Sequence, residues 1–377
     1  MKYQICTKTV LDTTYPNITF DHEGICNHYY EYHNKVKKNI KNEIVGNIEF
    51  KKIASQVKKS RGNSEFDCIL GLSGGLDSSF MLHKIVTEYD LKPLVFHVDG
   101  GWNSEISTNN IYNMVDKLGL ELFTEVINWN EMREFQLSFF KSGVPHLDIP
   151  QDHAFISVLY NFAEKYNIKY ILNGGNISTE AVIMPYKYYY WGTDLKQIHD
   201  ITSKYCSIDL KEYPFSSVFR HKLYLKYFKG VKVIKPLNYF HYKKDHAIKI
   251  LSEKYNWKSY KQKHFESRFT QFYEGYWLPK RFNFDVRRCQ FTSLILNNQM
   301  TRIEALEILK TPPIDDDKLK KEIDFVCNKL QISIEELSIF ESLPKKFYWD
   351  YKNNHNLLKS IEIILSFLNA GRRGGAF

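Results

Sequence analysis

The residues best suited to chemistry are Ser73-Gly74-Gly75-Leu76-Asp77-Ser78-Ser79. They follow an apolar run at 66–72 and lead directly into an amphipathic stretch at 80–89. That order reads as strand, glycine turn, helix. A glycine turn feeding a helix N-terminus attracts anions, because backbone N–H groups point outward and the helix dipole favours negative charge. Gly74 and Gly75 can take positive φ and let a phosphate approach the backbone. Ser73, Ser78 and Ser79 add hydroxyl donors. Asp77 would repel a bare phosphate, so its presence points to phosphates that arrive with Mg2+. No Lys follows the glycines, which excludes the G-x-x-x-x-G-K-[ST] phosphate loop. The dinucleotide fingerprint G-x-G-x-x-G is absent as well. The plain alternative is a serine-capped turn with no ligand.

The elements around this turn alternate. Strands are expected at 66–72, 94–98, 122–127 and 170–173, with helices from Ser104 to about Leu118, at 130–141 and at 152–166. Such alternation gives a parallel sheet covered by helices. Ligands in such sheets sit at the carboxyl ends of the strands, where the Ser73 loop, Asp99 and the 174–180 segment all fall. A basic amphipathic helix is expected over 34–60, carried by Val36, Ile40, Ile44, Ile48 and Ile53. The pattern blurs between 184 and 243, apart from a possible strand at 231–234. Beyond 244 it turns mainly helical, at 244–255, 287–297, 301–309, 319–330 and 357–367. Thr301 and Glu304 form a capping box, and the tail at 372–375 is expected to be flexible. The expected division is a turn-rich N-terminal segment with its basic helix at 1–62, an α/β domain at 63–243 and a helical substrate or partner domain at 244–377.

The 377 residues carry a net charge of +9, which suits an anionic partner such as a nucleotide, a sugar nucleotide or RNA. Solvated helix faces would account for the same charge. The six cysteines are scattered, so no disulfide framework of a secreted domain is indicated. With no signal sequence and no long apolar span, the expectation is a soluble, cytoplasmic protein without a membrane partner.

The 73–78 motif resembles the PP-loop of ATP pyrophosphatases, S-G-G-x-D-S. Further blocks resemble the N-acetyl sugar amidotransferases of bacterial surface-glycan biosynthesis. They are Asp12-Thr13-Thr14-x-Pro16-x-Ile18-x-Phe20-Asp21-x-x-Gly24-x-Cys26-Asn27, His97-Val98-Asp99-x-Gly101-Trp102-Asn103-Ser104-Glu105 and Asn173-Gly174-Gly175-Asn176-x-x-Thr179-Glu180. His264-x-Glu266-Ser267-x-Phe269-Thr270 and the stretch 293–306 complete the set, so the resemblance runs from residue 5 to about 313. It implies an α/β fold with a parallel sheet of the PP-loop (adenine nucleotide alpha hydrolase-like) type. It also implies an ATP-dependent reaction that turns an N-acetyl group of a sugar into an acetamidino group, releasing AMP and pyrophosphate.

On that reading Ser73, Gly74, Gly75, Ser78 and Ser79 hold the pyrophosphate, while Asp77 and Glu180 bind Mg2+. Asp99 and Gly174 meet the nucleotide. Asn103, Asn176, Ser267 and Arg268 are candidates for the substrate. His264 and Glu266 are candidates for moving the ammonia proton. Lys261, Lys263, Arg287 and Arg288 could bind a sugar-nucleotide diphosphate. Glu180 and Asp99 could equally cap backbone. The family commonly carries paired C-x-x-C motifs, but here they read Cys6-x-x-Thr9 and Cys26-x-x-Tyr29. Two of four zinc ligands are missing, so zinc is not expected even if His28 were a third. No glutaminase nucleophile is evident, so ammonia should come from a separate glutamine amidotransferase. A tRNA-modifying PP-loop enzyme and a non-catalytic nucleotide binder are the alternatives, with nucleic acid the less favoured partner.

Overall fold

Side chains alternate between the faces of a strand, and the first strands use both faces for core. In the computed structural model, which describes residues 2–361, β1 (Cys68–Gly71) sends Cys68 and Leu70 into one cluster and Ile69 into another. β2 (Pro93–Asp99) sends Val95 to the first cluster, and Leu94 and Phe96 to the second. Burial on both faces is characteristic of parallel sheets whose crossovers are helices. β3 (Leu122–Val126), β4 (Tyr170–Leu172) and β5 (Lys232–Ile234) complete a parallel sheet of order β3-β2-β1-β4-β5. The fold is thus the expected α/β PP-loop arrangement with a mainly helical C-terminal region.

The chain builds outward from β1 to β3 and then returns to the other side for β4 and β5. The order therefore reverses between β1 and β4. The 73–79 loop leaves β1 there and the turn after β4 meets it. A Cβ added to Gly174 would lie 3.4 Å from the Ser78 amide nitrogen.

Helices Leu76–Thr87, Glu105–Leu118, Trp129–Ser142 and Ile149–Lys165 lie within a few residues of expectation. Ser104 caps the second by accepting the Ser107 N–H at 3.2 Å. The blurred region holds a helix at Leu195–Tyr205 and a widened helical stretch at Arg220–Phe228. Further on, the helices Lys244–Tyr255, Arg287–Leu296, Arg302–Leu309 and Asp316–Leu330 match, and Thr301 with Glu304 forms the expected capping box. Helix Ile334–Ser342 had no signal in the periodicity. Most of the 357–367 helix and all of the 372–375 tail lie outside the described residues. One core cluster joins Cys6 and Leu11 to Phe135, Val158, Phe269, Trp277 and Val326, and so crosses positions 62 and 243. None of the helices among the described residues is long and apolar enough to cross a membrane.

The helix expected over 34–60 is corrected. It breaks at residues 40–42 and restarts as Glu43–Lys59, with the Asn42 side chain accepting the Val45 N–H at 2.9 Å. Its buried face is Gly46, Phe50, Ala54 and Val57, whereas Ile44 and Ile48 are exposed. The isoleucine stripe had helical spacing, but within this helix only its last member, Ile53, packs against the core. Gly46 decides the buried face, because the Tyr239 carbonyl fills the space a Cβ would need. Gly46→Ala should therefore destabilise the protein by about 1–3 kcal/mol, the usual cost of overpacking. Urea denaturation measures it, and an unchanged midpoint would show that this contact does not set the helix orientation.

Candidate functional site

The loop after β1 is held from both sides. Gly74 has φ +77°, and a Cβ there would approach the Ser107 carbonyl oxygen to 2.5 Å, so glycine is required. Its own carbonyl accepts from Trp257 Nε1 at 3.1 Å, Tyr260 Oη at 3.0 Å and Asn110 Nδ2 at 3.2 Å. Ser73 Oγ accepts the Gly75 N–H at 3.2 Å and lies 3.2 Å from Ser78 Oγ. Gly75 is the N-cap of the Leu76–Thr87 helix. Of the two glycines expected to permit positive φ only Gly74 uses it; Gly75 has φ −72°.

Beside the loop lies a charge cluster that the sequence did not announce. Lys263 Nζ lies 2.7 Å from Asp77 Oδ2 and 2.7 Å from Glu180 Oε1, and donates to Thr179 Oγ1 at 3.0 Å. Tyr242 Oη donates to the other Asp77 oxygen. Burial alone would lower the Lys263 pKa, but the two carboxylates outweigh it and raise it. The ammonium is therefore a firm positive charge between two acids from separate strand ends. Asp77 and Glu180 present hard oxygen donors, the class Mg2+ prefers. Two carboxylates completed by phosphate oxygens and water is a usual Mg2+ set. Among the described residues no group of three or more His, Cys, Asp or Glu could hold a metal by itself. The donors thus fit an ion carried in with a nucleotide.

Two cavities, of about 400 and about 420 Å3, share walls at Ser73, Thr179, Glu180, Lys263, His264 and Glu266. The first extends along the end of β2 past His97, Gly100 and Asn103 to Asp148, Gln151 and Asp152. The second runs over Gly75, Asp77, Ser78 and Gly174 towards Trp257 and Lys244.

Protonation differs sharply along these walls. His264 Nδ1 lies 2.8 Å from Oε1 of Glu274, which is only 3% exposed. Burial pulls the His264 pKa down, but the Glu274 carboxylate overrides it and pushes it to about 9. The pairing favours the imidazolium form of His264 and so disfavours it as a base near neutral pH. Burial raises the Glu266 carboxyl, favouring proton acceptance. Burial, then the neighbouring Asp152, pushes Asp148 up to about 7 against hydrogen bonds from Thr270 and Gln151.

Ser73, Gly75, Asp77, Ser78, Gly174, Glu180, Asn103, His264, Glu266 and Ser267 all line one or both cavities. Five expected residues do not, and the first is Gly74, whose carbonyl is taken up by Trp257, Tyr260 and Asn110. Ser79 is fully buried, and its hydroxyl faces neither cavity. Asp99 instead closes the turn after β2, accepting from the Gly101 N–H at 2.8 Å and Asn103 Nδ2 at 3.2 Å. Asn176 is a buried helix cap that accepts the Thr179 N–H at 2.9 Å. Arg268 bonds Glu322 at 2.9 Å and stacks on Phe325, tying the site segment to the Asp316–Leu330 helix. Of the two arginines expected to bind a diphosphate, Arg287 lines the second cavity and Arg288 lines neither, and both are already paired. Arg287 is held by Asp285 and the Thr311 carbonyl, and Arg288 by Asp12 and the Val10 carbonyl. The sequence reading missed Tyr242, Asp148 and Gln151, and placed Lys263 only among the basic candidates.

At the N-terminus Cys6 and Cys26 are fully buried, and Cys6 Sγ accepts the Cys26 N–H at 3.2 Å. Hydrogen bonding between the thiols lowers the Cys6 pKa and raises that of Cys26. Thr9 Oγ1 lies 3.9 Å from Cys26 Sγ, and His28 Nδ1 lies 2.9 Å from Glu31.

Because the folded His264 pKa is raised, its stabilising pair with Glu274 is complete below the unfolded value of about 6.5. It is lost as pH rises through about 9. NMR titration of His264 should show the high pKa, and Glu274→Gln should bring it below 6.5 and remove this alkaline loss of stability. A His264 that titrates normally in the intact protein would contradict the pairing.

Residues 266–364 match a family model described as the C-terminal domain of WbpG-like LPS biosynthesis proteins. None of the curated proteins matches the chain. Among solved structures, an NH3-dependent NAD synthetase from Campylobacter jejuni is 15% identical, with a TM-score of 0.29 over 56% of this chain and 93% of its own. An NMN synthetase from Francisella tularensis is 14% identical, with a TM-score of 0.29 over 55% and 92%. The U34-tRNA thiolase NcsA from Methanococcus maripaludis is 16% identical, with a TM-score of 0.28 over 56% and 65%. The C-terminal match and the PP-loop in its sheet fit the N-acetyl sugar amidotransferase family that the sequence resembles.

Proposed function

We propose that this chain is an ATP-dependent amidotransferase of bacterial glycan biosynthesis. It adenylates the N-acetyl oxygen of a nucleotide-linked sugar and replaces that oxygen with ammonia. The carrying observation is the convergence of Asp77 and Glu180 on one cationic position beside the phosphate-binding loop. The similarity of residues 266–364 to an LPS biosynthesis domain supports the glycan substrate.

The amide oxygen of an N-acetyl group is a weak nucleophile and a poor leaving group. Its attack on the α-phosphorus of ATP expels pyrophosphate and leaves an O-adenylyl imidate. The amide nitrogen gives up its N–H proton as the imidate forms; ammonia then adds to the carbon, AMP departs with the oxygen, and the added nitrogen gives up one proton to base, leaving the amidine. The Gly75–Ser78 backbone and the serine hydroxyls would hold the departing pyrophosphate. Mg2+ bound through Asp77 and Glu180 would neutralise charge on the phosphates. His264, held as a cation, would offset charge between the two cavities, and Glu266 would accept a proton released by the attacking nitrogen. The smaller first cavity, walled by Asn103, Gln151 and Asp148, would receive the acetamido sugar. With no glutaminase in the chain, a separate glutamine amidotransferase would supply ammonia.

Purified protein with Mg2+, ATP, an N-acetylated sugar nucleotide and concentrated ammonium should release AMP and pyrophosphate. The product should be lighter than the substrate by the difference between O and NH. Glutamine should serve only when the partner is added. Asp77→Asn should cut turnover by about a hundredfold or more, as when one oriented electrostatic partner of the transition state is lost, while the protein still melts cooperatively. ATP cleavage that depends on tRNA, or near-normal turnover in the variant, would overturn the reading.

A further inference from the structure

The stretch between Lys258 and Ser267 arranges charges against the loop in a specific way. At one end the Lys258 N–H donates to Asn110 Oδ1 at 2.8 Å. At the other the Glu266 carbonyl accepts the Ser104 N–H at 2.9 Å, and Ser267 bridges to Asn103. Between these anchors His264 takes φ +68°, an uncommon left-handed conformation for a residue other than glycine. The result places Lys263 between Asp77 and Glu180. It also places Glu266 on the loop itself. Glu266 Oε1 is 3.5 Å from Ser73 Oγ and only 2.5 Å from the position of a Cβ on Gly75. A cation thus sits between two carboxylates while an oxyanion rests against a loop built to receive anions.

We propose that Lys263 and Glu266 are internal place-holders for the cation and a phosphate of a metal–nucleotide. This rests on the reading that the loop binds Mg2+ with ATP. In the ligand-free protein the ammonium satisfies Asp77 and Glu180, which would otherwise repel each other across the switch point. The Glu266 carboxylate covers the anion site and turns away free anions by like-charge repulsion. Binding of the metal–nucleotide exchanges both contacts at once. The cation takes over the two carboxylates, and the released ammonium is left with phosphate oxygens as partners. The Glu266 side chain turns off Gly75, although its backbone stays pinned by Ser104. The stretch 259–265 is thereby loosened on binding. Only a ligand carrying both charges relieves both contacts, so the device selects the metal-bound nucleotide over free phosphate or free metal.

The test does not depend on turnover. Lys263→Met leaves Asp77 and Glu180 opposed, so its melting temperature without nucleotide should fall and be restored by MgCl2 alone. Wild type and Lys263→Arg should not respond to MgCl2 alone. By calorimetry, Glu266→Gln should bind inorganic pyrophosphate without metal about tenfold more tightly than wild type, a change of about 1.4 kcal/mol. Trypsin should cut wild type at Lys258, Lys261 or Lys263 faster with MgCl2 and a non-hydrolysable ATP analogue than without. Equal melting of Lys263→Met with and without MgCl2, together with unchanged pyrophosphate affinity in Glu266→Gln, would overturn the proposal. Failure of wild type to bind the analogue would instead count against the nucleotide reading, since the MgCl2 response of Lys263→Met needs no nucleotide.

Discussion

The ammonium of Lys263, held 2.7 Å from carboxylates that leave two different strands, is the interaction around which the site is organised. Asp77 comes from the loop after β1 and Glu180 from the short helix after β4. The strand order makes these segments neighbours, and their like charges would otherwise push them apart. Lys263 enters from the C-terminal region, so the charge balance of the sheet depends on chain far outside it. The same region supplies Trp257 and Tyr260 to the Gly74 carbonyl. Loop shape and loop charge are thus set from one side.

This has a consequence for reactivity. Acids and bases crowd the junction of the two cavities, yet burial and pairing separate their states. Glu274 raises the His264 pKa against burial, whereas burial raises that of the Glu266 carboxyl and makes its carboxylate the stronger base. Divergence of neighbouring titratable groups is how one pocket offers both a proton acceptor and a fixed positive charge. Asp148, pushed up to about 7, adds a second group able to exchange a proton near neutral pH at the far wall of the first cavity.

Local features of the site were legible in the sequence. The strand, glycine turn and helix around Ser73–Ser79 are contiguous, and periodicity reports contiguous elements well. Residues whose roles depend on distant partners were not legible. Lys263 looked like one more basic residue, because its partners lie 186 and 83 positions away in the chain. Asn176 and Asp99 stand in turns at the carboxyl ends of strands and so read as ligand contacts, but each is used by the backbone next to it. The same limit explains the Glu43–Lys59 helix, where an isoleucine stripe and a Gly46–Phe50–Ala54 stripe compete and only the approach of Tyr239 selects the second.

The central claim is that the N-acetyl oxygen is the atom that attacks ATP. Its most direct test is to follow that oxygen. A sugar nucleotide with heavy oxygen in the acetyl carbonyl is incubated with ATP, Mg2+ and ammonium, and the AMP is analysed by mass spectrometry. The account requires the label to appear in the phosphate of AMP, in step with loss of oxygen from the sugar. Label retained in the sugar while ATP is cleaved, or lost to water without entering AMP, would contradict it.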